Sequence, residues 1–372
     1  MLRAAFESVV IEIAPGCDGL DGILEGLPNC EAVFLVRAGE RSAYLARTKL
    51  LRRRLQRIFR VSAGPSRGFN LRGIATSIEY WIAGSGFEST LLHYRLARDN
   101  FPDDYLKLVK LPMPAYVKLI QANAFPRTQV TTRLSASRSL YYGPFRTRAA
   151  AEQFENKFLD LFQIRRCQED LAPRPDHPGC IYGEMNRCLR PCQKVVGLEE
   201  YASEVERVYG FLKADGATML HAAAAARDRL SDEMDFEAAA RQHGSLERIQ
   251  AVLGLRDELA RDIDRAFGVV VTNAPTAGAV RLWFLLRGCW QPPQDFELSG
   301  ISASLDQRLR EITAALRPER VGVQERQEHL AILARWYYSS WRDAEWIAFD
   351  DLDRVPYRKL VRAISKTVEP KK

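Results

Sequence analysis

Four of the seven cysteines lie close together, between residues 164 and 196. They are Cys167, Cys180, Cys188 and Cys192, with twelve, seven and three residues between successive members. Thiolate sulfur suits both iron–sulfur clusters and structural zinc, each of which takes tetrahedral sulfur coordination. Four unrelated buried cysteines or a disulfide pair are the alternatives, but the loop is polar and basic, and nothing indicates an oxidising compartment. The spacing therefore predicts a soft-metal site, which could hold either an iron–sulfur cluster or zinc.

A run of cations in the N-terminal part of the chain is a second candidate for ligand binding. Between residues 47 and 60, seven of fourteen positions are basic: Arg47, Lys49, Arg52, Arg53, Arg54, Arg57 and Arg60. Residues 48–59 have helical periodicity, with Leu51, Leu55 and Ile58 on one face. Cations on the remaining surface would neutralise phosphates without reading base sequence. We therefore expect DNA as a partner, with phosphate contacts from Lys49, Arg52, Arg53 and Arg57.

The bulk composition limits the class of protein. The chain has 372 residues, 47% of them hydrophobic, and this length predicts two or three domains. Its net charge of +7 is compatible with a nucleic-acid partner. No apolar stretch has the length of a membrane helix, and Glu7 and Glu12 interrupt the N-terminal apolar segment, which is not typical of a signal peptide. We expect a cytoplasmic protein without a membrane partner, whose cysteines stay reduced.

The elements that position the basic run follow from periodicity. Apolar runs at residues 32–36 and 42–46 flank a turn at Gly39 and predict a β-hairpin directly before the basic helix. A second two-stranded hairpin is predicted within residues 105–136. Gly143-Pro144 is typical of a tight turn. These patterns indicate a mixture of helices and antiparallel strands.

The cysteine loop lies between helices. A helix over residues 148–162, capped by Thr147, precedes the loop and buries an apolar face at helical spacing: Phe154, Phe158, Leu159 and Phe162. Residues 198–264 are predicted to be helical, with two arms on either side of residues 234–237.

The last third of the chain has the pattern of a small α+β unit. Strands are expected at residues 269–272 and 280–287, and helices at 305–316 and 324–341. The predicted fold class is therefore α/β in the broad sense, of the α+β type.

Several segments, in this order, resemble the UvrC family of excinuclease proteins. The first hairpin and the basic helix are similar to the GIY-YIG nuclease module, whose two tripeptides fall on residues 32–34 and 44–46. Phe125-Pro126-Arg127, residues 141–145 (YYGPF) and residues 158–167 resemble further segments of that family. The cysteine loop resembles its cysteine cluster, including the RCLRPC ending at residues 187–192. The resemblance runs from about residue 30 to about residue 252.

The resemblance implies a nuclease site with replaced residues. In the family a tyrosine helps to deprotonate water, a basic residue stabilises phosphate charge, and a glutamate holds one divalent metal ion. Tyr44, Arg54 and Arg47 fall on such catalytic positions, Arg47 where a lysine is usual. Phe34 replaces the first tyrosine and His93 replaces the glutamate. Mg²⁺ or Mn²⁺ is therefore expected only if the module still cuts, and we favour a module that has lost cutting and kept a basic face.

Two further implications concern a cofactor and a partner. The cysteine cluster would hold a [4Fe–4S] cluster, with zinc as the alternative, in a structural role. Residues 234–237 and the flanking arms resemble the UVR motif, the helical hairpin through which UvrB and UvrC pair in the excinuclease. Its core falls on Phe236, Glu237, Ala239, Ala240 and Arg241, and implies UvrB as a partner, with the phenylalanine anchoring the two arms.

The combined prediction is a UvrC-like protein of nucleotide excision repair. Six segments are expected: a leader (1–28), a GIY-YIG-like domain (29–110), a hairpin and helix (111–165), the cysteine cluster (166–196), the UVR-like helical region (197–264) and an α+β unit (265–372). Neither the ribonuclease-H-like nuclease nor the helix-hairpin-helix domains of that family are recognisable. The alternative is a non-catalytic DNA-binding adaptor that modulates repair.

Overall fold

The computed structural model describes residues 6–13, 19–60, 71–276, 278–298, 304–318 and 321–368. The strands are β1 (Val9–Glu12), β2 (Ala32–Ala38), β3 (Arg41–Thr48), β4 (Ser77–Ile82), β5 (Ala115–Ile120), β6 (Arg127–Thr131), β7 (Ser139–Phe145), β8 (Arg261–Asp262), β9 (Phe267–Asn273), β10 (Ala279–Leu286), β11 (Cys289–Trp290), β12 (Gln294–Glu297) and β13 (Glu345–Phe349). The helices are α1 (Leu20–Glu25), α2 (Leu51–Phe59), α3 (Gly86–Asn100), α4 (Tyr105–Val109), α5 (Arg148–Leu159), α6 (Ile181–Glu184), α7 (Leu198–Lys213), α8 (Ala217–Asp232), α9 (Phe236–Gly254), α10 (Leu305–Ala315), α11 (Val323–Tyr337) and α12 (Tyr357–Val368). The α+β class is confirmed. None of the described helices is long and apolar enough to cross a membrane.

The chain forms two compact units rather than one unit for each predicted segment. The first unit contains residues 1–112, 267–320 and 335–372, and the second contains 113–266 and 321–334. The predicted GIY-YIG-like domain and most of the predicted C-terminal unit therefore belong together. The aromatic side chains of Phe87 and Trp336 explain this grouping, because their ring centroids lie 4.9 Å apart inside the first unit. At Gly84 the backbone of Asn273 comes so close that a Cβ would lie 2.3 Å from its carbonyl oxygen.

The predicted N-terminal hairpin is confirmed. Strands β2 and β3 pair antiparallel, with Phe34 opposite Ala46, within a sheet of order β1-β4-β2-β3. The basic helix begins at Leu51, and its buried face ends at Phe59 rather than at Ile58, which is only half buried. The apolar face of α2 thus fixes the helix against this sheet and leaves its cations outside the core.

The predicted irregular leader (1–28) is wrong over its described residues. Residues 9–12 form β1, which pairs with β4, and α1 buries Leu20 and Leu24. A four-residue edge strand carries too little alternation to stand out among the neighbouring glycines and prolines, yet β4 supplies its hydrogen bonds. The remaining leader residues, 1–5 and 14–18, lie outside the described part of the chain.

In the second unit, a sheet of order β6-β5-β7-β8 packs against α5. The predicted pairing of β5 with β6 is confirmed, as is the cap: Thr147 accepts a hydrogen bond from the backbone N–H of Ala150. The predicted tight turn at Gly143-Pro144 is wrong, because both residues lie within β7, joined by a cis peptide bond. The start of the predicted second hairpin also differs, since residues 105–109 form helix α4.

The predicted helical region is three helices, α7, α8 and α9, and the last two form a helical hairpin with its turn at residues 233–235. In the first unit a second sheet, with order β11-β10-β9-β13 and β12 paired to β10, lies under α10 and α12. The expected strands and helices of this region are confirmed as β9, β10, α10 and α11. Strand β13 and helix α12 were not predicted.

Candidate nucleic-acid interface and cysteine centre

The nuclease-like residues of the first unit lie together. Tyr44 on β3 accepts a hydrogen bond from Nη2 of Arg54 on α2, with 3.0 Å between the donor and acceptor atoms. The ring of Phe34 is fully buried, and its centroid lies 5.9 Å from that of Tyr44. The hairpin and the basic helix therefore hold the predicted tyrosine and arginine in direct contact, and Phe34 adds no hydroxyl to them.

Arg47 is the third predicted catalytic residue, and it connects β3 to α3. Its Nη1 donates to Oγ1 of Thr90 at 2.5 Å, and its guanidinium lies 5.6 Å from the centre of the Trp341 ring. Burial lowers the pKa of Arg47 and the nearby charge of Arg335 lowers it further, whereas Glu31 opposes this effect. Arg47 thus lies within a group of cations that also includes Arg335.

His93 occupies the position that the resemblance gives to the metal-binding glutamate. Its side chain is buried on α3. Burial lowers the pKa of His93 to about 4, and the charges of Arg47 and Arg335 also lower it. The imidazole is therefore neutral at neutral pH and lies near two guanidinium groups. A divalent cation at this position would be repelled by two positive charges. The imidazole of His93 also offers no carboxylate to bind it.

Glu88, one turn earlier on α3, does not replace the missing carboxylate. Its side chain is fully buried, accepts a hydrogen bond from the backbone N–H of Gly84 at 3.1 Å, and pairs with Nη1 of Arg281. Burial raises the pKa of Glu88 to about 7, although the charge of Arg281 acts in the opposite direction. Both carboxylate oxygens are therefore committed to contacts within the fold.

The exposed side of α2 forms an open, basic cavity of about 810 Å³. It is lined by Arg47, Thr48, Lys49, Leu50, Arg53, Arg54, Gln56, Arg57 and Arg60. Three of the four predicted phosphate contacts, Lys49, Arg53 and Arg57, line this basic cavity. Arg52 does not line the cavity; it donates its Nε–H to the carbonyl oxygen of Leu27 at 2.6 Å, and its phosphate contact stays a prediction. The cavity combines an anion-attracting surface with the Tyr44–Arg54 pair at its wall.

The four predicted cysteine ligands lie in the second unit and influence one another electrostatically. Cys188 and Cys192 are buried, Cys167 is half buried and Cys180 is exposed. Burial raises the pKa of Cys188 to about 11, the backbone N–H of Arg190 opposes this, and the three other thiolates raise it further. The loop therefore brings all four sulfurs into one neighbourhood.

The segment around residues 125–127 holds the first cysteine in place. Arg165 is 2% exposed, donates from Nε to the carbonyl oxygen of Phe125 at 3.0 Å, and approaches the sulfur of Cys167 with Nη1 at 3.5 Å. The hydroxyl of Tyr201 accepts from the backbone N–H of Arg165 and donates to the carbonyl oxygen of Pro126. These contacts explain why the Phe-Pro-Arg segment accompanies the cysteine loop.

The cysteine centre fits a soft metal in its donor chemistry. Four thiols are the donor set of [4Fe–4S] clusters and of structural zinc sites. Among the described residues, however, no group of three or more His, Cys, Asp or Glu side chains is arranged to hold a metal ion.

The predicted partner-binding hairpin exposes its tip. Asp235 caps α9 by accepting a hydrogen bond from the backbone N–H of Ala238 at 3.0 Å. Met234 and Phe236 are 77% and 67% exposed. The prediction that the phenylalanine anchors the two arms is wrong, because its ring points to solvent and Ala239 is buried in its place. The remaining predicted residues, Glu237, Ala240 and Arg241, are exposed.

Comparison with protein families finds a match in the second unit. The model of the UvrC/Cho excinuclease middle domain matches residues 115–211, from β5 through the cysteine loop into α7. Over these residues the chain is similar to the UvrC family. No solved structure matches it.

Curated UvrC relatives extend the similarity beyond the middle domain. UvrABC system protein C of Bdellovibrio bacteriovorus is 28% identical over 61% of this chain and 36% of the relative. The protein of the same name from Acetivibrio thermocellus is 22% identical over 92% of this chain and 56% of the relative. That of Alcanivorax borkumensis is 29% identical over 58% and 33%. The chain thus spans between a third and just over half of the length of these UvrC proteins.

Three residues near the nuclease-like site were not among the site residues predicted from the sequence. Arg335 and Trp341 lie near Arg47, and Asp343 accepts a hydrogen bond from the backbone N–H of Gly86 at the start of α3. They follow the site by more than 200 residues, so no local pattern could associate them with it. The only signal was the aromatic run at residues 336–341, which predicts helix core, with stacking on nucleobases as the alternative.

Proposed function

We propose that this UvrC family member acts in nucleotide excision repair as a DNA-binding protein whose GIY-YIG-like site does not cut. The basic cavity carries this proposal, because at least five cations line a single open surface: Arg47, Lys49, Arg53, Arg54 and Arg57. Such a surface binds the phosphate backbone largely without regard to base sequence. The names of the relatives, which assign them to the UvrABC system, support excision repair as the process.

The absence of cutting is inferred from charge. His93 occupies the position at which the family resemblance implies a metal-binding glutamate. Its imidazole is neutral and lies near Arg47 and Arg335. Glu88 is held by Gly84 and Arg281. Phosphodiester hydrolysis of this type depends on a divalent cation that polarises the phosphate and stabilises the developing charge, and this environment disfavours such a cation.

Salt-dependent DNA binding tests the proposal. We expect the full chain to bind duplex DNA with an affinity that falls steeply as salt increases. Replacing Arg53 or Arg57 by alanine removes one phosphate contact and should reduce the slope of log K against log salt by about 0.9. Arg358→Ala, which removes an exposed arginine from α12, is the matched control and should leave the slope unchanged. Equal slopes for all four proteins would contradict the DNA interface.

A second candidate function is a nuclease that still cuts. The Tyr44–Arg54 hydrogen bond favours it, because a tyrosine that contacts an arginine is the arrangement that the family resemblance implies for water activation. A carboxylate for the metal ion would then have to come from a residue other than His93 and Glu88, and the negative charges of Glu31 and Asp343 both act on Arg47. An incision assay separates the two candidates.

We further propose UvrB, or a protein with a similar helical hairpin, as the partner of the α8–α9 hairpin. Met234 and Phe236 support this, because two large apolar side chains exposed at a helical tip are typical of interface anchors. Phe236→Ala should weaken binding of purified UvrB about tenfold or more. His221→Ala, an exposed change near the opposite end of α8, is the control. Undiminished binding by Phe236→Ala would exclude the tip as the contact.

The cofactor proposed for the cysteine loop is a [4Fe–4S] cluster, with zinc as the alternative. Cys167, Cys180, Cys188 and Cys192 would hold it. The four thiols and the buried Arg165 that fixes Cys167 support this assignment. The group would act as a structural clamp on the loop, since metal binding and local folding are coupled at such sites.

A further inference from the structure

Trp341 is unusual among the tryptophans of this protein. All six lie in described parts of the chain; four are buried and Trp346 is half buried. Trp341 is 37% exposed. A large indole in contact with water is the costliest apolar side chain to leave uncovered, so its position calls for an explanation beyond core packing.

The surroundings of Trp341 connect it to the basic cavity. The guanidinium carbon of Arg47 lies 5.6 Å from the centre of the indole ring, within the range of a cation–π contact. Arg47 also lines the basic cavity, together with Arg54 and Lys49. The partly exposed indole therefore lies at the edge of a surface suited to phosphates.

The segment that carries Trp341 is fixed in place by hydrogen bonds. One carboxylate oxygen of Asp343 accepts from the backbone N–H of Gly86 at 2.6 Å, and the other accepts from the indole N–H of the buried Trp336 at 3.1 Å. On the other side, Arg47 is held by Thr90. Both the ring and the guanidinium are thus positioned before any ligand arrives, which lowers the entropic cost of binding.

We propose that Trp341 stacks on an unpaired base of DNA whose adjacent phosphates bind in the basic cavity. Proteins that bind single-stranded nucleic acid combine a cationic groove along the backbone with aromatic rings against the bases. In a fully paired duplex the faces of the bases are covered by their neighbours, so a stacking residue contributes only where a base is unpaired or displaced. This surface therefore prefers single-stranded or locally unpaired DNA.

The inference rests on the proposed DNA-binding function and adds a preference to it. A purely structural role for Trp341, in which the ring only supports Arg47, makes a different prediction. Loss of the ring would then disturb phosphate binding and weaken single-stranded and duplex DNA alike. The comparison of the two DNA forms therefore separates stacking from support.

The experiment measures the affinity of the full chain for one labelled oligonucleotide, first as a single strand and then in a fully paired duplex, by fluorescence anisotropy. Trp341→Ala should weaken single-strand binding by about 5- to 100-fold and change duplex binding by less than about twofold. Trp341→Phe, which keeps an aromatic ring, should recover most of the lost affinity. Leu106→Ala removes another apolar side chain that is 37% exposed and should change neither affinity.

Parallel loss of both affinities in Trp341→Ala, or no loss of either, would overturn the stacking role while leaving the proposed DNA-binding function intact. A failure of the unmutated chain to bind duplex or single strand would instead overturn the proposed function itself, and the stacking role with it.

Discussion

The nuclease-like site of the first unit and the cysteine centre of the second differ in how many of the functional residues implied by the family resemblance they contain. The first retains its scaffold: β2, β3 and α2 hold Tyr44 and Arg54 in contact, but His93 and Phe34 occupy positions where the resemblance expects functional side chains. The second retains all four predicted ligand positions, and an additional buried arginine fixes the first of them. The middle-domain model matches the second region and does not reach the first.

The family resemblance implies that fold and chemistry have separated in the first region. The apolar residues that build the hairpin and bury one side of α2 do not depend on the metal-binding glutamate, so the site can lose that carboxylate and remain folded. In the cysteine loop only two of the four cysteines, Cys188 and Cys192, are buried, and a bound metal would supply much of the local stability. Loss of a ligand should therefore have very different consequences in the two regions.

The largest expected effect concerns the cysteine centre. Cys188→Ser should abolish iron and sulfide binding, or zinc binding if zinc is the metal, because it removes one of the four proposed sulfur ligands, and a buried one. Metal and sulfide analysis after anaerobic purification measures this. Cys30→Ser, which changes a half-buried cysteine of the first unit, should keep the full metal content. A metal-free unmutated protein would refute the cluster, and full retention by Cys188→Ser would exclude that residue as a ligand.

A smaller effect is expected at His93. Because its pKa is about 4 when folded and about 6.5 when unfolded, protonation favours the unfolded chain as the pH falls between these values. His93→Gln has no imidazole to protonate, so it does not lose stability in this way. Between about pH 7 and about pH 5, the free energy of unfolding of the unmutated protein should therefore fall by about 2 kcal/mol relative to that of His93→Gln. Urea denaturation at both pH values measures the difference.

Glu88 provides an internal check on this comparison. Its raised pKa contributes stability at low pH that is lost as the pH rises towards about 7, which is opposite in sign to the effect of His93. Both proteins carry Glu88, so its contribution cancels in the difference. If the difference in the free energy of unfolding between the unmutated protein and His93→Gln does not change with pH, His93 is not held neutral by burial near Arg47 and Arg335.

Much of the fold could be predicted from local patterns, and the misses have physical reasons. The first hairpin and α5 were predicted because alternation, helical spacing and the Thr147 cap are encoded within a few residues. The strand β7 was not predicted, because Gly143-Pro144 usually forms a turn. The edge strand β1 is short and owes its structure to pairing with β4 rather than to its own pattern.

The same limit of local patterns applies to the candidate sites, where some residues come together from distant parts of the sequence. The cysteines could be predicted as one site because they lie within one loop. The exposure of Phe236 could not be predicted, since a hydrophobic residue beside a helical turn is equally compatible with packing between the two arms of the hairpin. The association of Trp341 and Arg335 with Arg47 depends on the tertiary fold, so local patterns predict the basic helix without its aromatic neighbour.

The most direct test of the central claim is incision of a lesion-containing duplex by the purified full chain, with Mg²⁺ or Mn²⁺, in the presence and absence of UvrA and UvrB. The account predicts DNA binding without incision attributable to this site, so Tyr44→Phe and Arg54→Ala should leave the background unchanged. Incision by the unmutated protein that disappears in either variant would contradict it, and would show that this site has found another carboxylate for its metal ion.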